Sequence, residues 1–301
     1  MIKIETLNLD ELAQKHYKAI ENYLQNKKGG FSIEDINEKI KSCFGDDLDL
    51  KKIILANPHE LEALSKTYKW KCCSPFSYFE TLYDYFNKYD KTVFYTKEDD
   101  KKIPYRAYEL VESLGIKVCP YCNRNTIYNI TNKTKRTSEL DHYYPKSKYP
   151  FFAISFYNLI PSCKVCNKIK LDNDDKEYIN PYDTRFDFNK NMKFGLQVEN
   201  SSFYYSENAF NFKYKYDAKI STNENQRIEN NLNDFELKDL YHNHKDIVLE
   251  LIQKAEIYND SYIDELMQKY EGTLFKNRED LLRLVTCGYL SDEDLHKRPL
   301  S

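Results

Sequence analysis

The sequence predicts an α+β protein, a mainly α-helical body around a small hairpin-and-helix core that a structural four-cysteine zinc site holds together. Three observations predict it. Apolar residues recur at three- and four-residue spacing through the first hundred residues and again over 224–290, the period of a helix with one buried face. Between these tracts lie two Cys-x-x-Cys pairs, Cys119/Cys122 and Cys163/Cys166. Two residues of slack let a tight turn aim both sulfurs of a pair at one tetrahedral ion. Short β-like segments lie between and beyond the pairs. The chain divides into an N-terminal helical region, 1–110, a core with the zinc site, 111–190, and a small β appendage with a C-terminal helical region, 191–301.

In order, Leu9, Leu12, Ala13, Tyr17, Ile20 and Leu24 share one face of a first helix, which Gly29-Gly30 ends. Ser32 caps a second, with Asp35 at the capping-box position and Ile36, Ile40 and Phe44 as its stripe. Apolar spacing predicts further helices over 54–68 and 76–89, where Phe79, Leu82, Tyr83 and Phe86 read as a core face rather than a base-stacking surface. A helix through Tyr108, Leu110 and Leu114 stops at Gly115 and leads into Val118-Cys-Pro-Tyr-Cys122. Segments 126–130 and 138–144 read as paired strands across the polar turn 131–137. A short apolar helix over 150–157, the extended Leu159-Ile-Pro-Ser162 and a helix from about Cys163 complete the core. Beyond it, the alternation of Phe210, Phe212, Tyr214 and Tyr216 predicts a two- or three-stranded appendage over 194–220. Residues 221–233 are polar enough to form a mobile link before the last helices, whose face is marked by Leu240, His244, Ile247, Val248 and Leu251.

With 301 residues and a net charge of −3, the chain has room for a real core without staples. Its charge is uneven. Residues 116–170 hold ten Lys or Arg against Glu139 and Asp141, hence +8, which leaves −11 elsewhere. A zinc on four thiolates carries about −2, so the loaded region stays near about +6 and reads as a phosphate-binding face. The opening Met1-Ile-Lys-Ile-Glu lacks the apolar core of a leader, and no apolar run is long enough to span a membrane, so the expected setting is cytoplasmic. Cys43, Cys72, Cys73 and Cys287 read as small buried hydrophobes, with redox chemistry open for the adjacent Cys72 and Cys73.

Breaking a phosphodiester needs a nucleophilic water, a cation for the charge that builds on the phosphate, and a rigid frame. His142, the one histidine in 116–170, suits a general base at neutral pH. Asp141 precedes it, and on a strand the two would face opposite sides unless the strand ends or bulges there. Asn167, one residue past the last cysteine, offers an amide oxygen that can join Asp141 on a second ion. Hard oxygen donors favour Mg2+ or Mn2+ over a second Zn2+. Lys164, Lys168 and Lys170 on the last core helix, with Arg124, Lys146 and Lys148, read as phosphate contacts. His242-Asn243-His244 lacks metal-site neighbours, and Tyr143 and Tyr144 either pack or touch nucleic acid.

Cys119-Pro-Tyr-Cys122, Leu140-Asp-His142, Tyr157-Asn-Leu159 and Cys163-Lys-Val-Cys166-Asn-Lys-Ile-Lys170 together resemble the HNH nucleases, the ββα-metal endonucleases, in the form with a four-cysteine zinc frame. The resemblance covers residues 116–170. It implies His142 as the base that activates water, Asp141 as a divalent-metal ligand, Asn158 as a brace behind the base, and Asn167 in the last position, where it replaces the name-giving histidine. Asn180-Pro-Tyr-Asp183 and the closing Leu295-His-Lys-Arg-Pro-Leu300 resemble parts of HNH proteins found beside ATPases in prokaryotic anti-phage systems. The expected activity is hydrolysis of DNA, with RNA open, and the expected partner an ATPase or another defence-system subunit. The rival expectations are a non-catalytic zinc module that binds nucleic acid and a subunit silent until its partner docks.

Overall fold

The computed structural model describes the chain apart from residues 7, 28–29, 69–75, 89–93, 134, 173–174 and 301 and the side chains of 133 and 293. Gly29, Cys72 and Cys73 lie outside the described residues. The N-terminal tract forms α1 (Leu9–Asn26), α2 (Ile33–Phe44), α3 (Leu50–Leu55), α4 (Pro58–Tyr68) and α5 (Ser77–Asn87). The capping box of α2 forms as expected, Asp35 N–H donating to Ser32 Oγ and Ser32 N–H to the Asp35 carboxylate. The single helix expected over 54–68 is broken. Pro58 cannot donate into a preceding turn, and Asn57 caps α4 instead, its Oδ1 accepting from the N–H groups of His59 and Glu60.

A hairpin not anticipated from the pattern follows, β1 (Tyr95–Glu98) with β2 (Lys101–Pro104). Its turn residues Asp99 and Asp100 both have positive φ, 47° and 60°, which short polar side chains tolerate in two-residue hairpin loops. Helix α6 (Ala107–Leu114) ends on Gly115 at φ 66°, as its C-terminal glycine predicts.

In the core, the expected pairing of 126–130 with 138–144 is not made. The polar turn forms its own small hairpin, β3 (Asn129–Ile130) with β4 (Lys135–Arg136). The strand β5 (Glu139–His142) pairs antiparallel with β6 (Leu159–Ser162), Glu139 opposite Ser162 and His142 opposite Leu159. The reason is burial. Leu140, Leu159 and Ile160 are core residues, so two nearly fully covered strands pair with each other rather than with the polar turn. The apolar segment between them folds as two 3-10 turns, Pro150–Phe152 and Phe156–Asn158, not as one helix. Helix α7 (Lys164–Lys170) follows at once, with Cys163 as its N-cap.

Beyond α8 (Phe188–Asn191), the appendage is the two-stranded pair β7 (Met192–Val198) and β8 (Phe210–Tyr216). Residues 221–233, read as a mobile link, are instead α9 (Thr222–Asp234). Ser221 and Glu224 close a capping box, and Ile228 and Leu232 are buried with Phe235 in the common core. Helices α10 (Leu237–His242), α11 (Lys245–Ile257), α12 (Asp260–Tyr270) and α13 (Arg278–Thr286) complete a mixed fold of helices and small two-stranded sheets. Among the described residues no helix is long and apolar enough to cross a membrane.

Candidate functional site

The β5–β6 pair carries chemistry at both ends. At the Ser162 end, the sulfurs of Cys119, Cys122, Cys163 and Cys166 lie within 4.8 Å of one another, all buried. A tetrahedral zinc with bonds of about 2.3 Å separates its sulfurs by about 3.8 Å, and Cys122 and Cys163 stand 4.0 Å apart. Backbone N–H groups of Arg124 and Cys166 and the Asn125 amide donate to these sulfurs, as thiolate ligands require. Donation from Cys119 and its neighbours holds the Cys163 thiol far below the ordinary range, while burial pushes Cys119 up. The donor set and its spacing fit a structural zinc.

At the other end β5 finishes on His142. Its Nε2 lies 3.0 Å from the carbonyl oxygen of Ala153, which can only accept, so the ring proton sits on Nε2 and the lone pair on Nδ1. Burial, with Lys146 and Lys170 adding to it against the Ala153 bond, lowers the imidazole to about 3. The ring is therefore neutral at pH 7. Tyr83 of α5 packs edge-on against it at 4.4 Å between centroids, and Lys146 Nζ lies 5.0 Å from the Tyr83 ring centre.

The carbonyl that holds this ring is fixed from several directions. His16 of α1, fully buried, bonds through Nε2 to the next carbonyl, Ile154, at 2.9 Å. Ser155 Oγ donates to the Ile53 carbonyl of α3. Asn158, also fully buried, donates from Nδ2 to the carbonyls of Phe152 and Tyr144, and its Oδ1 accepts from Tyr144 N–H at 2.7 Å. It thus ties the loop after His142 to the turn before Ala153. In the sequence, Tyr83 reads only as part of a core stripe, and the one signal for His16 is its place on the amphipathic first helix.

Asp141 faces the opposite side of β5 from His142. Its Oδ2 accepts from the Tyr121 hydroxyl at 2.6 Å, and Lys170 Nζ reaches Oδ1 at 3.2 Å and Oδ2 at 3.1 Å. The same ammonium donates to the His142 carbonyl at 2.6 Å. Lys170, grouped by sequence with surface phosphate contacts, has a side chain only 1% exposed. This carboxylate is already neutralised by a buried cation that touches both of its oxygens. The site therefore does not fit a Mg2+ or Mn2+ ion as it stands. Asn167 sits half-buried on α7.

The other basic residues separate into two groups. Lys164 and Lys168 are exposed on α7. Arg124 Nε instead donates to His244 Nε2 at 2.9 Å, tying the zinc loop to α11's N-cap, and Lys146 reaches Asp84 at 3.5 Å. Lys148 is partly buried beside Asp172 and Asp175 in a shared cleft. Tyr143 packs, its hydroxyl donating to the Tyr178 carbonyl.

No family model matches the chain, and no solved structure matches it. Over 80 residues, 26% of its length, the chain is 35% identical to the Septu protein PtuB of Bacillus thuringiensis, and over 70 residues, 23% of its length, it is 36% identical to Protein ea31 of Escherichia phage lambda. These matches span 29% and 20% of the two relatives. A buried four-cysteine cluster and a partial likeness to a Septu protein are what the chain and the comparisons establish together.

Proposed function

We propose that the chain is an HNH-type, metal-dependent endonuclease that hydrolyses phosphodiester bonds of DNA and acts as an effector in bacterial anti-phage defence. The observation that carries the reading is the state of His142. A neutral imidazole, its Nε2–H committed to the Ala153 carbonyl, keeps the Nδ1 lone pair unprotonated. Burial that lowers the ring to about 3 makes it a weaker base than a free histidine, so activating water requires negative charge of the bound nucleic acid beside the ring to raise its basicity. The Ala153 bond strengthens as the ring becomes imidazolium, because a carbonyl dipole favours the charged form. Thiolate-bound zinc clamps the far end of the strand pair, and exposed Lys164 and Lys168 add charge for sugar-phosphate contacts without base readout. The defence role draws support from the partial similarity to the Septu protein. Partnership with an ATPase or another defence subunit is part of the proposal.

Nicking of supercoiled plasmid by the zinc-loaded protein in Mg2+ tests this reading. His142→Ala should abolish cleavage while zinc content and folding stay intact, at a melting temperature lowered by loss of the Ala153 bond and the Tyr83 packing. Cleavage at the normal rate by that variant rules out His142 as the base. Plasmid binding by the wild-type chain without cleavage, alone and beside its operon neighbour, would favour the non-catalytic zinc module.

A further inference from the structure

A carboxylate offers about four lone-pair directions, and at Asp141 three are taken, one by Tyr121 and two by Lys170. The residue is 4% exposed. Mg2+ or Mn2+ within bonding distance of the carboxylate would lie beside an ammonium that already touches both oxygens. Like charges this close, in a site shielded from water, repel strongly. We infer that Lys170 is the resident counter-cation of Asp141, so that a divalent cation and the Lys170 ammonium exclude one another at this carboxylate.

The geometry makes the exchange consequential. Lys170 also holds the His142 carbonyl, and it is the last residue of α7, where the chain turns into Leu171 at φ 49°. Releasing it frees the carboxylate, loosens the backbone of His142 and unlatches the end of the helix that carries Asn167. Displacement of one side chain would thus couple ion entry to the position of the base. The inference rests on the proposed nuclease reading for the divalent ion and adds to it the group that must leave.

The test is direct binding of Mn2+, which oxygen donors accept and thiolates do not favour, followed by electron paramagnetic resonance on zinc-loaded protein without nucleic acid. Lys170→Met should bind Mn2+ roughly tenfold or more tightly than wild type, and Asp141→Asn in that background should lose the gain. Lys170→Arg, which keeps a cation, should resemble wild type. Equal affinity in wild type and Lys170→Met would overturn the inference. Should Lys170→Met fail to fold, acylation of wild-type lysines mapped by mass spectrometry decides. Lys170 should be protected alone and become labelled as Mn2+ rises to millimolar levels, and unchanged protection would overturn the inference. Because neither readout uses cleavage, an inactive protein that shows the exchange defeats the nuclease reading alone, and an active one without it defeats this inference alone.

Discussion

Where β6 ends at Ser162, the strand pair meets four cysteines, one pair in the turn at 119–122 and one at the start of α7. Where β5 ends at His142, it meets Tyr83 of α5, a carbonyl turn pinned by His16 of α1, and Asn158. The first end gathers two cysteine pairs 41 positions apart. It is tied to the N-terminus and the C-terminal helices by Ile2 N–H on the Pro120 carbonyl, the Tyr241 hydroxyl on the Cys122 carbonyl and Arg124 on His244, whereas the second packs against the N-terminal helices. A zinc ion held there would add ligand-bond folding energy to the first end, whereas the second depends on its packing against the N-terminal helices. The core and the helical tract before it thus share one hydrophobic cluster, and the helices serve the site as its second wall.

The largest effect should come from breaking the ligated end. Cys122→Ser or Cys163→Ser removes one of four ligands, and structural zinc contributes on the order of 10 kcal/mol to small zinc domains. Both variants should lose zinc, measured by metal analysis, and lose cooperative unfolding by circular dichroism. A soluble, well-folded variant with full activity would contradict a structural role for the cluster.

A smaller and more selective effect should follow at the packed end. Asn158→Ala deletes three hydrogen bonds, one buried and two part-buried, and leaves carbonyls of Phe152 and Tyr144 short of donors, a cost of roughly 3 kcal/mol. Melting temperature and cleavage should both fall with zinc at full stoichiometry. If zinc content falls in step with them, the two ends are not independent and the contrast drawn here fails.

That contrast also sets how much of the molecule was legible in its sequence. Ligand spacing, the Ser32 capping box, Gly115 as a helix stop and the 194–220 alternation are local signals, and each appears where its local physics places it. The partner of β5 was misread because two adjacent strands with a polar turn between them look like a hairpin, and only burial of Leu140 and Ile160 reveals that the partner is β6. Residues 221–233 looked like a link because just two of their side chains, Ile228 and Leu232, carry the apolar contact. At the site, the histidine and its neighbours stood out by type, but the contacts of Tyr83, His16 and Tyr121 did not. A contact between residues tens of positions apart leaves no period in the sequence. Lys170 shows the same limit, since a lysine on a basic helix reads as surface until its ammonium is found buried on Asp141.

The smallest expected effect is an absence of titration. A free histidine gains its proton near pH 6.5, but burial holds His142 down to about 3 and His16 to about 4. Because the folded values are lowered, both rings stay neutral as pH falls from 8 to 5, while the unfolded chain takes up protons below about 6.5. Stability is then fully present above that pH and is lost progressively as pH drops toward the folded values. In nitrogen-15 spectra the His142 ring should show the Nε2–H tautomer with no shift change between pH 8 and 5, and the acid limb of kcat/KM should lie well below 6.5, with zinc content checked at each pH. A ring that titrates near 6.5 would mean that the packed end opens to water in solution, and the helices would then not be holding the imidazole as the contacts of Tyr83 and Ala153 describe.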